Sequence, residues 1–302
     1  MSFSDKKAKI LIYSTVSLSV ICAILRCVCL LFYYDTDIGY YTASSYLPTL
    51  TSVIIVASAL FLILFSLIFM PKVGEIKPLG GSLKYYAIIP AATFLLPLMS
   101  AVGNLALQRS YFEFFVLIAS VCAMTFFALL AFSDNLASSA TIVFGVGVIL
   151  WLALAWLSSY TNFFVPMNSP GKVFFHFACV GAALLVVGEL RCLCATAKPK
   201  TYYCYLCVAI FTLSAYTLPY VVGSLSGITE KSDATAAQSV VLIGLLIYAC
   251  IRVFSLLTEN PTLVQTESAP EIEEATESAD ATTVSEQTAE SVKEENKEDN
   301  IQ

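Results

Sequence analysis

Charged residues are scarce in this chain. Only 13% of its 302 residues are Asp, Glu, Lys or Arg, against about 25% in an average soluble protein, whereas 58% are hydrophobic. A chain with so little polar surface cannot form a water-soluble globule. The composition therefore excludes a soluble domain and indicates a protein that lies in a membrane.

Histidine is almost absent, and catalytic motifs are missing. A serine or cysteine triad would have to use the single histidine, His176. Residues 223–227 have leucine where a nucleophile elbow needs serine, and residues 80–84 have the wrong order for a phosphate-binding loop. No basic patch is present, which excludes nucleic acid as a partner. We expect no enzymatic activity and no cofactor.

Long hydrophobic runs, in contrast, are abundant. Eight of them have about the 20 residues that a helix needs to cross a hydrocarbon core about 30 Å thick. Helices are expected because the backbone must satisfy its own hydrogen bonds in lipid, and no alternating barrel pattern occurs. The sequence predicts an all-α integral membrane bundle of eight transmembrane helices in residues 1–258. The predicted spans are 10–33, 48–70, 85–105, 111–132, 138–158, 172–194, 202–222 and 236–257.

The basic residues between the spans predict the orientation. Nine of them fall on one side of the bundle: Lys6, Lys7, Lys9, Lys72, Lys77, Lys84, Arg191, Lys198 and Lys200. The connections on the other side hold three: Arg109, Lys172 and Lys231. By the positive-inside rule both termini lie in the cytoplasm, and the protein is a multi-pass protein of the cell membrane.

The last 44 residues differ from the rest of the chain. Residues 259–302 contain 13 acidic and 2 basic residues, a net charge of −11, whereas residues 1–258 contain 9 acidic and 14 basic residues, a net charge of +5. A segment with almost no large apolar residues cannot offset its ordering entropy by burial. We therefore expect a disordered, acidic cytoplasmic tail, which would attract a basic protein partner.

Ionisable groups inside the predicted spans mark the candidate site. Arg26 lies seven residues from the outer end of the first span, about 10 Å deep, where an unpaired charge costs roughly 2.5–3.5 kcal/mol. Glu113 and His176 fall in the outer halves of their spans, and Asn104 ends the third. We expect the four to line one outward-facing polar cavity, with Arg26 paired to Glu113. Alternatively, Glu113 and His176 lie among the lipid headgroups and Arg26 reaches the interface alone.

A second charged pair lies near the inner side. Glu189 and Arg252 are each about one turn from the inner ends of the sixth and eighth spans. An ion pair between them would link the two spans and serve a structural role. The alternative is that each side chain reaches the interface by itself.

The ten cysteines lie in or beside apolar runs, which argues against a disulfide framework. Four of them surround the inner turn between spans six and seven at a spacing that a zinc site can use: Cys192, Cys194, Cys204 and Cys207. The first two are two residues apart on a helix and point to different faces. We therefore expect no metal site.

The loop after the first span has the pattern Asp35-x-Asp37-x-Gly39. It lacks the bidentate Glu of a calcium loop, since Tyr46 stands at that position, so an Asx-type turn is expected. The tyrosines around this loop are typical of an interfacial aromatic belt. Over about 70 residues, the first span, its Tyr-Tyr-Asp-x-x-x-Gly-Tyr-Tyr end and the second span resemble uncharacterised multi-pass membrane proteins of clostridia-type bacteria. The resemblance implies a bacterial inner-membrane location and no known activity.

Two functions fit these features. Pro90 and Pro97 predict a kink in span three, and small residues such as Gly181 and Gly188 in span six allow close helix contact. Helices of this kind can part around a polar cavity, which predicts a transporter or permease-like protein for a small-molecule substrate. The alternative is a membrane scaffold or sensor whose acidic tail recruits a basic cytoplasmic protein.

Overall fold

The fold was analysed in a computed structural model, which describes residues 3–42, 45–70, 76–108, 110–133, 138–162, 164–228 and 230–258. The predicted disordered tail lies outside the described residues. Those residues form helices and one short hairpin, in this order: α1 (Phe3–Tyr33), β1 (Tyr34–Asp35), β2 (Tyr40–Tyr41), α2 (Leu47–Phe69), a 3₁₀ helix (Gly81–Ala87), α3 (Ile88–Thr93), α4 (Leu95–Gln108), α5 (Tyr111–Phe132), α6 (Ser139–Thr161), α7 (Pro170–Leu193), α8 (Pro199–Ser226) and α9 (Ala236–Thr258).

The described helices make up eight segments that are long and apolar enough to cross a membrane. The 3₁₀ helix, α3 and α4 together form one of these segments, Gly81–Leu107. The prediction of an all-α membrane bundle with eight spans is confirmed, and the chain is a multi-pass integral membrane protein. The helices extend beyond several predicted bounds; α8, for example, is 28 residues long.

The third span is interrupted, as its prolines predict. Helix α3 ends at Thr93 and α4 begins at Leu95. Pro97 has no N–H group to donate to the Thr93 carbonyl four residues before it, so a regular helix cannot continue through this point. Phe94, at the interruption, is fully buried, and its ring lies 5.0 Å from that of Trp151 on α6. The break is therefore held in place by packing.

Helix α8 lies at the centre of the bundle. It packs against α1, α2, α7 and α9, and most of its length is buried inside the protein. Gly181 of α7 faces Thr212 of α8 so closely that a Cβ atom at position 181 would overlap the Thr212 hydroxyl. The small residues of span six thus allow the close helix contact that the sequence predicted.

The loop after α1 forms a β-hairpin that the sequence did not predict. Tyr34 pairs with Tyr41, and Asp35 pairs with Tyr40. The Asp35 carboxylate accepts hydrogen bonds from the backbone N–H groups of Asp37 (2.9 Å) and Ile38 (3.1 Å), which confirms the Asx turn. The hairpin therefore holds its tyrosines in fixed positions, where the sequence indicated only an aromatic belt.

Three connections meet at one end of the bundle, which we call the Arg26 end: the hairpin, residues 164–169 and residues 230–235. The Tyr40 hydroxyl donates to Asn168 Oδ1 (2.5 Å), and the Lys231 backbone N–H donates to the Tyr34 hydroxyl (2.8 Å). The opposite end, with residues 76–80 and 194–198, is called the Arg252 end. By the positive-inside rule we expect the Arg26 end to face outwards.

Candidate functional site

Arg26 on α1 is a buried charge that contacts several other helices. Its side chain is buried, and its guanidinium forms an ion pair with the carboxylate of Glu230. The same group donates a hydrogen bond to the backbone carbonyl of Ala215 on α8. Its Cζ atom also lies 3.6 Å from the ring centroid of Phe174 on α7, within the range of a cation–π contact. Arg26 therefore links α1, α7, α8 and the connection to α9.

A proline explains why the Ala215 carbonyl is free to accept this bond. In a regular helix the carbonyl of residue 215 would accept from the N–H group of residue 219, and that residue is Pro219. Because proline lacks an N–H group, the Ala215 carbonyl has no helical donor. The Arg26 guanidinium supplies one from the neighbouring helix. A charge in span one and a proline in span seven thus form one structural unit.

Glu230 joins the first hairpin to this unit. Its Oε1 atom accepts a hydrogen bond from the Tyr41 hydroxyl (2.8 Å), while its other oxygen pairs with Arg26. Burial, and then the negative charge of Glu230, raise the pKa of Tyr41 above its usual value. The phenol of Tyr41 is therefore held as a neutral donor beside the ion pair.

The next residues of the same connection form a second set of buried contacts. Lys172, near the start of α7, is fully buried, and its Nζ atom lies 3.1 Å from Asp233 Oδ2. The ammonium also donates to the backbone carbonyls of Asn162 (2.6 Å) and Val165 (3.1 Å). We call residues 230–233 the strap, because they attach α1, α7 and the hairpin to one another.

His176 contacts the strap indirectly. Its Nε2 atom lies 3.2 Å from the Ser159 hydroxyl, and that hydroxyl donates to the Ser232 carbonyl (3.1 Å). The imidazole also packs against Trp156, with 5.6 Å between the ring centroids. His176 is therefore part of the α6–α7 packing that supports the strap.

The expected pairing of Arg26 with Glu113 is wrong. The ion-pair partner of Arg26 is Glu230, which lies outside every apolar run and returns into the bundle through the strap. Glu113 instead accepts a hydrogen bond from Asn104 Nδ2 (3.3 Å). Glu230 is far from Arg26 in the sequence, so the sequence did not reveal this partner. The available signal for the position of Arg26 was Pro219, which leaves the Ala215 carbonyl without a helical donor.

Asn104 and Glu113 do line a cavity, but Arg26 and His176 are not among its lining residues. The cavity measures about 70 Å³ and lies between α4, α5, α6 and α9 at the Arg26 end. It is bounded on one side by Pro97, next to the break in span three. Its polar side chains are Ser100, Asn104, Glu113, Ser158, Thr235 and Gln238.

Trp151 of α6 also lines the cavity. Only 2% of this residue is exposed, and its indole Nε1 has no hydrogen-bond partner in the part of the chain that the structure describes. Buried indole N–H groups are normally paired. The Nε1 atom is enclosed by the surrounding packing, so Trp151 contributes aromatic surface to the wall of the cavity.

The start of α9 is fixed beside the cavity by a capping box. The Thr235 hydroxyl accepts from the Gln238 backbone N–H (3.2 Å), and Gln238 Oε1 accepts from the Thr235 backbone N–H (2.9 Å). These reciprocal bonds satisfy two backbone donors at the helix start. The two side chains are therefore held at the cavity rim, directly after the strap.

The structure brings Glu189 and Arg252 together at the other end. Arg252 Nε lies 2.9 Å from Glu189 Oε1, and both residues are buried. The Tyr202 hydroxyl donates to the same carboxylate oxygen (2.6 Å), and Arg252 Nη2 donates to the Lys77 carbonyl (2.6 Å). The pair links α7 and α9 and also holds the connection before span three.

The four cysteines near this end lie in unlike surroundings. Cys192 is buried within 3.9 Å of Arg252 Nη2, whereas Cys194 is exposed. Among the described residues no group of three or more His, Cys, Asp or Glu side chains is arranged to hold a metal ion. The buried polar groups described at this end are joined to one another by an ion pair and hydrogen bonds.

No family model, curated protein or solved structure matches this chain. Its function is therefore inferred from the contacts described above. In each of the Arg26–Glu230 and Lys172–Asp233 pairs, the two opposite charges neutralise one another, and the pairs stabilise the fold. In the part of the chain that the structure describes, the cavity beside Glu113 is a place where polar side chains face open space.

We expect the stability of the protein to fall as the pH rises above about 10. The folded state keeps Tyr41 protonated because its pKa is raised, whereas the unfolded chain loses that proton near the usual pKa of about 10. Below that pH the contribution is fully present. Tyr41→Phe cannot titrate, so its Tm should fall less steeply between about pH 9 and 11.

The control for this measurement is Tyr46→Phe, because Tyr46 is 92% exposed. This variant should follow the unmodified protein at every pH. If all three proteins lose Tm with the same slope, Tyr41 is not held as a neutral phenol and the expectation is wrong.

Proposed function

We propose that this multi-pass membrane protein is transporter-like or permease-like, and that its substrate cavity lies between α4, α5, α6 and α9. The observation that carries the proposal is a polar cavity beside a broken span. Polar and ionisable groups at membrane depth are costly and usually serve function. Interrupted transmembrane helices are a recurrent feature of transporter binding sites.

In this proposal the break at Phe94, which packing holds in place, serves as the pivot of one cavity wall. Helix α4 contributes Pro97, Ser100 and Asn104 to the lining, and it is separated from α3 by the interruption. A rotation of α4 about this point would change the width of the cavity, and Pro97 has no N–H group whose hydrogen bond would oppose it. The buried pairs of the strap would keep α1, α7 and α8 fixed meanwhile.

The proposed location is a bacterial inner membrane with the Arg26 end outwards. The resemblance of the first 70 residues supports the location, and the distribution of basic residues supports the orientation. In this orientation the cavity lies near the outer surface, where a small-molecule substrate would enter.

Access to the cavity from both sides of the membrane tests this proposal. We expect Ser158→Cys, in the cavity wall, to react with a membrane-impermeant thiol reagent in right-side-out and in inside-out vesicles. Alternating access requires that one site be reached in turn from each side. Peptide mass spectrometry would locate the label, because the chain has ten native cysteines.

The matched control is Ser226→Cys at the end of α8, which is exposed at the Arg26 end. It should react only in vesicles that present this end to the reagent. If Ser158→Cys also reacts from that side alone, the cavity does not alternate and the transport proposal fails.

The second candidate function rests on the acidic composition of residues 259–302. A scaffold or sensor would use this segment to recruit a basic cytoplasmic protein, with the bundle as its anchor. Deleting the segment separates the two functions. A transporter should keep the two-sided reactivity of Ser158→Cys in the shortened chain, whereas a sensor controlled by its tail should lose it.

A further inference from the structure

The chemistry of the cavity indicates what it binds. Among the described residues that line it, Glu113 is the one that carries a charge. Within the described residues Glu113 forms no ion pair, and its hydrogen-bond partner is the amide of Asn104 at 3.3 Å. A carboxylate in a partly enclosed site is stabilised by a nearby positive charge. Among the described residues such charges are paired with Glu230, Asp233 and Glu189, and none is paired with Glu113.

The neighbouring helix starts do not replace that missing charge. The positive end of a helix dipole favours anions, and both α5 and α9 begin at the cavity. Glu113 lies in the first turn of α5, so its negative charge already compensates that helix. At α9 the capping box of Thr235 and Gln238 satisfies two of the backbone donors. An anionic ligand would therefore be repelled by Glu113, and no cationic side chain among the described lining residues would offset that repulsion.

The size of the cavity limits the ligand. Its volume is about 70 Å³, about half that of a cavity of about 150 Å³ that binds benzene. The ligand therefore has only a few non-hydrogen atoms. A single carboxylate also argues against calcium, which takes six to eight oxygen ligands and usually several carboxylates.

Trp151 and Phe112 add aromatic surface to the lining. Aromatic ring faces attract cations, and tryptophan does so most strongly. The described part of the lining thus combines one acceptor carboxylate with aromatic surface.

We propose that this cavity binds a small monovalent cation against the Glu113 carboxylate. The cation is an alkali metal ion with part of its water shell or a primary ammonium of one or two carbons. The inference rests on the proposed transport function, for which it names the substrate class. It assigns Glu113 a binding role and Asn104 the role of orienting that carboxylate.

Thermal unfolding, followed by intrinsic tryptophan fluorescence, tests the inference on the full chain in detergent. The probes are sodium, potassium and methylammonium chloride, each compared with N-methylglucamine chloride, whose cation is too large for the cavity, at equal ionic strength. We expect a saturable rise in Tm of about 3 °C with at least one probe when its concentration is about tenfold above Kd. The three salts separate an alkali ion from an ammonium.

Two variants show whether the effect arises at Glu113. Glu113→Gln keeps the shape of the side chain and should lose the rise, whereas Asp37→Asn, at an exposed carboxylate of the same end, should keep it. Glu113→Asp retains the charge but shortens the side chain, so it should require a severalfold higher cation concentration. This variant remains informative if Glu113→Gln does not fold.

Equal Tm values in all four salts overturn the inference, as does an unchanged rise in Glu113→Gln. A rise with acetamide, added as an uncharged polar solute, and none with the cations would also overturn it. The result is independent of the labelling experiment at position 158. Two-sided labelling without a cation effect leaves transport standing and rejects the ligand class; one-sided labelling with a cation effect indicates a static cation site and rejects transport.

Discussion

Glu230→Ala should lower the free energy of unfolding by about 3 kcal/mol, one of the largest effects of any single substitution in the bundle. The variant leaves the Arg26 guanidinium buried without its carboxylate, and it removes the acceptor of the Tyr41 hydroxyl. An uncompensated buried charge costs far more than a lost surface contact. The unfolding midpoint in a denaturing detergent, followed by tryptophan fluorescence, measures the loss.

Two comparisons make this result specific. Asp37→Ala removes an exposed carboxylate from the same end and should change stability little. The double variant Arg26→Leu, Glu230→Leu removes both charges and should be more stable than Glu230→Ala. If the double variant is the less stable of the two, the ion pair is not the reason for the loss.

Pro219 provides a further check on the same unit. Pro219→Ala restores an N–H group that can donate to the Ala215 carbonyl within α8. In this background the Ala215 carbonyl has a donor within α8. Arg26→Leu should therefore lower the free energy of unfolding less than it does in the unmodified chain. Equal costs in the two backgrounds would show that the Arg26 contact with Ala215 contributes nothing.

Arg252→Met should also destabilise the protein by about 3 kcal/mol. The substitution leaves Glu189 buried without its arginine, and it frees the Lys77 carbonyl that Arg252 holds. Connection 76–80 would lose its attachment to α9. The same detergent unfolding measurement applies, and proteolysis at this connection should become faster.

Arg191→Met is the matched control for this prediction. Arg191 lies two residues from Glu189 and is only half-buried, so the same chemical change there should cost less than about 1 kcal/mol. Similar losses in the two arginine variants would contradict the assignment of Arg252 as the buried partner. Removing Glu189 together with Arg252, as Glu189→Leu with Arg252→Met, should recover part of the stability.

Features that depend on residues close together in the sequence were predictable. The Asx turn at Asp35 and the break before Pro97 follow from the chemistry of a few adjacent residues. The Glu189–Arg252 contact was also predicted from the sequence, because both residues lie about one turn from the inner ends of their spans. Depth within a span is a local property that can be counted from the chain.

The partner of Arg26 was not predictable in that way. Glu230 lies 204 positions away and outside every apolar run, so its depth could not be counted. Glu113 was at the expected depth, but it lies on α5, where its hydrogen-bond partner is Asn104 of α4. Depth alone does not decide which helices are neighbours.

The sequence by itself determined the eight spans, the membrane location, the interruption of span three and the turn after α1. These features follow from hydrophobic length, from proline and glycine chemistry and from the need to pair backbone groups in lipid. Tertiary structure alone decided that the strap enters the bundle, that Arg26 replaces the donor missing at Pro219, and that Glu113 faces a separate cavity. Each of these depends on which helices pack together, because a buried charge pairs with whatever group packing brings within a few ångströms.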